Sequence, residues 1–365
     1  MDKYGYYWLF IAIFMDINMK THSLSITPDI LKIIAEIDEF RGSWKMMQNL
    51  SPERLTSLKK VATIESIGSS TRIEGVKLSN AEIETILSHL DQKSFQTRDE
   101  QEIAGYAEVM DVIFLNYKEI HFSENYIKQL HAMLLHYSEK DQRHHGQYKM
   151  LANHVEAFDG EGKSLGIILH TTSSFETPIK MQELVYWTRE SLEDKSLHPL
   201  LVIGVFIVSF LHIHPFQDGN GRLSRVLTTL LLLQANYAYV PYSSLENIVE
   251  QNKEGYYLSL RQTQNTLEGD APHWSPWLRF FLFTLKAQKD QLIAKIDHDQ
   301  TLKVLPKESI LIVEYVREKG RITTQEAEKI TEKPRSTVKK RLSDLIHSGV
   351  LIRCGKGRGT WYQLP

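Results

Sequence analysis

A polar run between two apolar segments carries the residue types that could do chemistry in this chain. It reads His214-Pro-Phe-Gln-Asp-Gly-Asn-Gly-Arg222, and Arg225 follows closely. His214 could act as a base, because an unperturbed imidazole titrates near pH ~6.5. Asp218 offers the hard carboxylate oxygen that Mg²⁺ takes beside phosphate groups. Together these residues predict a site for a phosphate-bearing ligand.

The glycines and arginines of this run indicate how an anion would be held. Gly219 and Gly221 permit a tight turn that presents bare backbone N–H groups. The apolar residues 226–233 predict a helix that starts at this turn, where N–H groups and the helix dipole favour phosphate. Arg222 and Arg225 would share one face of its first turn, so both could bind phosphates with their guanidinium groups.

The elements that must position this loop are predicted to be mainly helical. The nearly continuous apolar run 197–210 leads into the loop, and its length favours a buried helix over a strand. Upstream, Thr27-Pro28 and Ser51-Pro52 are helix starts, and the second of these helices extends past Ile67. Ser79 and Glu82 have the spacing of a capping box for a third helix.

Short extended runs indicate two small β elements. One is a hairpin between residues 153 and 170, with its turn at Asp159-Gly160. The other follows a linker at residues 304–307, in a segment that looks like a winged helix-turn-helix. That segment has helical patterns at 309–318, 323–330 and 335–347, strand patterns at 350–353 and 360–363, and a glycine-rich turn at 355–359.

Composition limits the class of protein. The chain has 365 residues, enough for two or three domains, with 42% hydrophobic and 24% charged residues, as in a globular protein. Its net charge of -2 excludes a global field that attracts nucleic acid or an anionic membrane. The single cysteine, Cys354, cannot form an internal disulfide, which fits the reducing cytoplasm.

The first residues are treated apart. The apolar run 6–15 is too short to span a bilayer, which takes about 20 residues. It is also a poor signal peptide, because acidic residues flank it and no small-residue cleavage site follows. Either translation starts at Met19 or the run is a short packed segment. No membrane association is predicted.

The loop resembles the signature of the Fic family, His-x-Phe-x-Asp/Glu-Gly-Asn-Gly-Arg-x-x-Arg, at every defined position. The resemblance implies a protein adenylyltransferase that moves AMP from ATP to a Ser, Thr or Tyr hydroxyl of a target protein or of itself. In that reading His214 deprotonates the hydroxyl, Asp218 holds Mg²⁺ and Arg225 binds the γ-phosphate. The remaining implied nucleotide-binding residues are Gly219, Asn220, Gly221, Arg222, Leu223, Ser224 and Asn252.

Further matches to the family concern the surroundings of the loop. Gly221 stands where the kinase-like branch has lysine, which favours AMP transfer over phosphorylation. The hairpin would be the family's flap beside the target residue, and Phe216 would be a core anchor. Lys149 ends a segment that resembles the family's Gly-x-Tyr-Arg, with lysine in place of arginine. Tyr256-Tyr257 falls where the family lines its adenine pocket, although core packing explains these tyrosines equally well.

An inhibitory element is implied as well. Ser70-Thr-Arg-Ile-Glu74-Gly75 resembles the motif Ser/Thr-x-x-x-Glu-Gly/Asn of self-inhibited Fic proteins. Ser70 and Glu74 lie on one face of a helix, and Glu74 would pair with Arg225 and deny it to the γ-phosphate. In some relatives the same glutamate serves the removal of AMP, so a reverse activity is an alternative.

The expected organisation is an uncertain extension at 1–26, a helical region with the inhibitory helix at 27–100, a Fic core at 101–300 and a winged-helix domain at 305–365. A rival function is a DNA-binding regulator whose core senses nucleotide without turnover. DNA would meet the basic residues Arg335, Lys339, Lys340, Arg341, Arg353, Lys356 and Arg358. A solvated face on a protein-interaction or dimerisation module is the alternative, which also leaves a homodimer open.

Overall fold

The computed structural model describes residues 19–46, 51–90, 95–140, 142–153, 155–158, 164–169, 171–355 and 357–364. The chain divides into two compact units, residues 1–291 and 292–365. This division falls inside a long helix, ahead of the linker predicted at residues 304–307. The apolar run 6–15 lies outside the described residues.

In its described residues the first unit is helical apart from one hairpin. Its α-helices are α1 (Pro28–Met46), α2 (Pro52–Ile73), α3 (Asn80–Ser88), α4 (Arg98–Asn116), α5 (Glu124–Leu134), α6 (Thr177–Asp194), α7 (Pro199–Ile213), α8 (Asn220–Gln234), α9 (Leu245–Gln251), α10 (Lys253–Gln264) and the first part of α11 (Ser275–Val304), which continues past residue 291. The predicted starts at Thr27-Pro28 and Ser51-Pro52 and the capping box of Ser79 are all present. The sequence signals for these three helix starts are therefore confirmed.

Two central helices frame the polar loop. α7 buries nearly every side chain along its length, as expected of a helix that is apolar on all sides. α8 packs against α7 and also against α2, α4 and α5. Because α7 ends at Ile213 and α8 begins at Asn220, the residues between them are fixed at both ends by the core.

The last turns of α2 bury small polar side chains. Ser69, Ser70 and Thr71 are fully buried, and Thr71 Oγ1 donates to the carbonyl of Ile67 at 2.9 Å. Small side chains let this helix end lie close to α8 and α9. The residue that follows the helix, Glu74, is thereby brought to the start of α8.

α4 and α5 approach each other at a glycine. A methyl group at Gly105 would overlap the backbone carbonyl of Leu134, the last residue of α5. No side chain can be accommodated there, because a backbone carbonyl cannot move aside as a flexible side chain can. This contact fixes the distance between two helices that both carry residues of the loop's surroundings.

The predicted hairpin is present as β1 (Val155–Phe158) and β2 (Ser164–Leu169). The two strands are antiparallel, with Val155 opposite Leu169 and Phe158 opposite Ser164. The pairing is irregular in two places, which bends the strands. The predicted turn at Asp159-Gly160 lies outside the described residues.

The second unit contains α12 (Lys307–Lys319), α13 (Thr324–Thr331) and α14 (Arg335–His347), with strands β3 (Ile322–Thr323), β4 (Ile352–Cys354) and β5 (Trp361–Gln363). These are the expected helices and strands plus β3, which completes an antiparallel sheet in the order β3-β5-β4. Its core includes Ile312, Val338 and Leu342. None of the helices in the described part of the chain is long and apolar enough to cross a membrane.

Candidate active site

The polar loop lines a cavity of about 800 Å³ in the first unit. The cavity is bounded by the end of α2, the start of α4, the loop, the first turn of α8, and α10. Side chains that matter for its chemistry are Glu74, Arg98, Glu102, His214, Asp218, Arg222 and Arg225. The structure therefore brings the residues predicted from the signature together with two from α4 that were not predicted.

His214 occupies the position that caps α7, in an unusual backbone conformation. Its φ of 52° and ψ of 60° are left-handed, which costs free energy for any residue except glycine. Its Nδ1 lies 3.2 Å from the carbonyl of Leu211, and since a carbonyl only accepts, Nδ1 carries the proton. Nε2 is then the unprotonated nitrogen.

Burial lowers the pKa of His214 to about 4. The imidazole is therefore neutral at pH ~7, with its Nε2 lone pair available. Within the described part of the chain, Nε2 has no hydrogen-bond partner. The residue is thus in the protonation state that a base requires.

The loop is braced by its own residues and by α5. Asn220 Oδ1 accepts from Phe216 N at 2.9 Å, and Asn220 Nδ2 donates to Phe216 O at 2.7 Å. The Asn220 side chain is engaged in bracing the loop, and its backbone N–H at the start of α8 remains for an anion. The Phe216 ring is fully buried, as expected of a core anchor, and stacks on His131 with ring centroids 3.8 Å apart.

His131 links the loop to the segment before the hairpin. Its Nδ1 accepts from Gly146 N at 3.0 Å, so its Nε2 carries the proton that it donates to Asp218 O at 3.0 Å. Burial lowers the pKa of His131 to about 4, which keeps the ring neutral. The neutral ring holds the backbone of Asp218 in place.

The Asp218 carboxylate is ionised and faces cations. Burial opposes its ionisation, but Arg222, the Gly219 N–H and Arg98 together outweigh burial and lower the Asp218 pKa. Asp218 Oδ1 accepts from Gly219 N at 2.6 Å, and Oδ2 lies 3.3 Å from Arg98 Nη2. Glu102 joins Arg98 to Arg222, with Oε1 and Oε2 2.8 and 3.0 Å from the two guanidinium groups.

The two arginines of α8 keep unused donors. Arg222 Nε and Arg225 Nη1 are buried and make no hydrogen bond in the described residues, whereas Arg222 Nη1 is ion-paired with Glu102. A buried donor without an acceptor is costly, and such donors are rare in folded proteins. Both arginines line the cavity at a helix N-terminus, so their free donors fit an anion with several oxygens.

The rest of Arg225 is held by the end of α2. Its Nε donates to Ser70 Oγ at 2.7 Å, and its Nη2 donates to Ser70 O at 2.9 Å and to Glu74 Oε1 at 2.7 Å. Burial opposes ionisation of Glu74, but Arg225 and Arg222 together outweigh burial and lower the Glu74 pKa. A methyl group at Gly221 would overlap the Glu74 carboxylate, which therefore lies directly against the first turn of α8.

Three of the predicted binding residues have other surroundings. Leu223 is fully buried in the core, and the Ser224 hydroxyl donates to Gly221 O at 2.7 Å inside α8. Asn252 is exposed at the junction of α9 and α10 and is not among the residues that line the cavity. Tyr256 and Tyr257 do line it.

Several residues around the loop were missed by sequence reasoning. Arg98 and Glu102 have helical i, i+4 spacing, which indicates a surface ion pair and gives no hint of Asp218. His131 has no motif around it. Lys149 and Asn153, which bind the loop backbone, were noticed only as a departure from a motif and as the edge of the hairpin.

Comparison with known proteins gives two family matches in this chain. Residues 121–232 match the model of the Fic/DOC family. The matched range contains the polar loop and the helices on either side of it up to residue 232. Residues 298–361 match a family described as a bacterial protein of unknown function, DUF977.

Curated relatives include the protein adenylyltransferase Fic of Drosophila mojavensis, 27% identical over 263 residues, which are 70% of this chain and 47% of the relative. The protein of the same name from Drosophila grimshawi is 27% identical over 267 residues, 72% of this chain and 49% of the relative. The chain thus spans about half the length of the curated relatives it matches.

Solved structures share the fold. A Fic family protein from Desulfovibrio desulfuricans G20 matches with a TM-score of 0.58 at 22% identity, covering 93% of this chain and 97% of that one. Fic-1 from C. elegans matches with a TM-score of 0.58 at 17% identity, covering 73% of each chain. At these identities the likeness concerns the fold.

Proposed function

We propose that this chain is a Fic-type enzyme that transfers AMP from ATP to a hydroxyl group of a target protein. The observation that carries the proposal is one cavity in which a neutral histidine faces unused arginine donors. His214 has an available Nε2 lone pair, and Arg222 and Arg225 have buried donors without acceptors. The relatives named protein adenylyltransferase, at 27% identity, support the same reaction class.

The Asp218 carboxylate and the neighbouring arginines fit a nucleotide that carries Mg²⁺. No group of three or more His, Cys, Asp or Glu among the described residues could hold a metal ion alone. Mg²⁺ is commonly held by one or two carboxylates together with substrate phosphates, and Asp218 supplies such a carboxylate beside the arginines. When bound, Mg²⁺ would neutralise phosphate charge.

Each residue of the site has a separate role in the proposed transfer of AMP. His214 Nε2 accepts the proton of the target hydroxyl, and the hydroxyl oxygen forms a bond to the α-phosphorus of ATP. The bond from that phosphorus to the bridging oxygen breaks, and pyrophosphate leaves with the electron pair. The N–H groups at the start of α8 and the Arg222 guanidinium stabilise the negative charge on the phosphate oxygens. Gly221, in place of a lysine, favours attack at the α-phosphate.

We further propose that Glu74 restrains this activity. Its carboxylate takes the place of a phosphate charge on Arg225, so the γ-phosphate lacks that partner and the α-phosphate is not aligned for attack. Misplacement of this kind can reduce a rate on the order of 100-fold. The resting protein is then a restrained transferase.

The test is incubation of the full chain with cell lysate, Mg²⁺ and ATP labelled at the α-phosphate. The Glu74→Gly variant should label protein bands, and the His214→Ala variant in that background should label none while it still binds ATP. Labelling from γ-labelled ATP would instead show phosphorylation. No labelled protein, itself included, with either form of ATP would refute the proposal. Release of AMP from labelled protein by the parent would show the reverse activity.

A second candidate function belongs to the second unit. α14 exposes Arg335, Lys339 and Lys340, while Val338 and Leu342 on its other face enter the core. The Arg341 side chain lies along its own helix, with Nη1 3.7 Å from Asp344 Oδ2. The exposed basic face fits the phosphates of duplex DNA, as in a winged helix whose last helix enters the major groove.

A gel-shift series with duplex DNA at increasing salt tests that function. DNA affinity should fall steeply with salt and should drop when Lys339 and Lys340 are replaced by alanine. Exchange of Ser343 for alanine on the same helix is the matched control. Absence of a shift at low salt would leave this unit as a protein-interaction or dimerisation module.

A further inference from the structure

The backbone of the catalytic loop is held from outside by two residues of the segment before the hairpin. These two, Lys149 and Asn153, together donate to four successive carbonyl groups. The acceptors are the carbonyl oxygens of Ile213, His214, Pro215 and Phe216. Carbonyls in a run of this kind have no partners within a helix, so the loop depends on these donors.

The Lys149 amine is buried and fully used. It is 3% exposed, and its Nζ lies 2.8 Å from Asn153 Oδ1, 3.0 Å from Thr171 Oγ1 and 2.9 Å from Ile213 O. An ammonium group has three N–H donors, and each has an acceptor here. The backbone N–H of Lys149 donates in addition to Pro215 O at 2.8 Å.

The Asn153 amide completes the set. Its Nδ2 donates to His214 O at 3.1 Å and to Phe216 O at 2.6 Å, and its Oδ1 accepts from Lys149 and from the Thr171 hydroxyl at 3.0 Å. Ammonium groups only donate and carbonyls only accept, so the orientation of the amide is fixed. No polar group of the amide is left without a partner.

These bonds act on the residue with the least favourable backbone. His214 has left-handed φ and ψ, which persist only where the surroundings enforce them. Its own carbonyl and those on both sides are bound by Lys149 or Asn153. The orientation of the imidazole in the cavity therefore depends on these two side chains.

The same bonds reach both ends of the hairpin. Asn153 comes just before β1, and Thr171 comes just after β2. Both bind the Lys149 amine, so the two roots of the hairpin and the catalytic loop meet at one buried group. Any displacement of the hairpin roots is transmitted to the carbonyls on either side of His214.

We propose that Lys149, Asn153 and Thr171 form a positioning node that holds His214 in its reactive orientation and couples it to the hairpin. The effect of this node on the reaction rate rests on the proposed AMP transfer. All three are positioning residues: Asn153 and Lys149 bind the backbone carbonyls at and beside His214, and Thr171 acts through these two side chains. A target protein that engages the hairpin would thereby also orient the base.

The kinetic test compares substitutions at Lys149 in the Glu74→Gly background. Lys149→Met keeps the length and removes every donor, and kcat should fall about 10- to 100-fold while the KM for ATP changes by less than about twofold. Lys149→Arg should recover much of the rate, because guanidinium also donates to several oxygens. Lys289→Met is the matched control, since Lys289 is also buried but pairs with Asp290.

A second readout does not depend on AMP transfer. The imidazole resonances of His214, assigned by their loss in His214→Ala, should shift in Lys149→Met and remain near the parent position in Lys289→Met. If the Glu74→Gly protein transfers no AMP, the proposed function fails while this measurement still decides on the node. If Lys149→Met does not fold, Thr171→Val takes its place in this measurement. Valine has a shape similar to threonine but lacks the hydroxyl. Folded variants with unchanged His214 resonances would overturn the node, as would unchanged kcat in active ones.

Discussion

Glu74 Oε1 lies 2.7 Å from Arg225 Nη2, although the two residues are 151 positions apart in the chain. The pair is anchored from both sides. Lys253 Nζ donates to Ile73 O at 2.7 Å, and Arg72 pairs with Glu250 of α9 at 2.7 Å. The end of α2 is thus fastened to the elements around the cavity. Rotation of the Glu74 side chain would remove the carboxylate from Arg225, while Ser70 continues to hold Nε and Nη2.

Removing the carboxylate should therefore activate the protein without unfolding it. We expect Glu74→Gly, and to a lesser extent Glu74→Gln, to raise AMP transfer, including self-modification, by about tenfold or more, because Arg225 becomes free for phosphate. Transfer of label from α-labelled ATP measures this. Glu84→Gln is the control, because Glu84 forms an exposed ion pair with Lys60. Equal rates in the parent and both Glu74 variants would rule out the brake.

Arg98 should compete with the metal ion for Asp218. Its Nη2 lies 3.3 Å from Asp218 Oδ2, and its side chain is about half exposed. Exposed ion pairs contribute up to about 1 kcal/mol, so Arg98→Ala should tighten Mn²⁺ binding in the presence of ATP by up to about fivefold. Titration followed by electron paramagnetic resonance of free Mn²⁺ measures the affinity directly. Asp218→Asn should weaken binding, and an unchanged Mn²⁺ affinity in Arg98→Ala would contradict the competition.

The rate of AMP transfer should be flat from about pH 5 to about pH 8. His214 must be unprotonated to accept a proton, and burial lowers its pKa to about 4, so acid inhibition begins only near that value. The charged groups near His214 are Lys149, which lowers this pKa, and Glu74 and Asp218, which raise it. In the Glu74→Gly background the acid limb should therefore move no higher. A pH profile of kcat with an acid midpoint near pH ~6.5 would contradict this prediction.

At alkaline pH the rate should fall because of Lys149. Burial lowers the pKa of its amine to about 8, and above that pH the amine keeps two N–H donors for three acceptors. Arginine stays protonated throughout this range, so Lys149→Arg should hold its rate at about pH 9. A parent profile that declines no earlier than that of Lys149→Arg would exclude loss of this proton as the cause.

The polar loop and its two flanking helices could be predicted from the sequence, because an apolar run followed by glycines and arginines indicates a buried helix, a tight turn and a second helix start. From the resemblance, sequence reasoning also predicted the contact of Glu74 with Arg225, two residues far apart in the chain. It gave Lys149 no role, since the amine meets Thr171 and Ile213, 22 and 64 positions away, and such polar contacts leave no periodic pattern.

Two further differences between the structure and the expectations from the sequence have local causes. β3 is only two residues long, too short for an alternating pattern, and it forms because β5 supplies its partner. Asn252 lies outside the cavity because α9 ends at Gln251 and α10 begins at Lys253, so this residue joins two helices at the surface. Spacing along the chain could not show where that turn faces.

The contact between α4 and α5 should be intolerant of any side chain at Gly105. A methyl group there overlaps the Leu134 carbonyl, so the helices must separate, and Gly105→Ala should lower the free energy of unfolding by about 2 kcal/mol. Gly42→Ala is the matched control, because Gly42 is also helical but has nothing within 4 Å of the added carbon, and alanine should stabilise it by about 0.5–1 kcal/mol. Urea unfolding followed by tryptophan fluorescence measures both. α4 carries Glu102 and α5 carries His131, so separation should also displace Arg222 and Asp218 and lower AMP transfer in molecules that remain folded. Equal stability of the two variants would show that α4 and α5 can separate without cost.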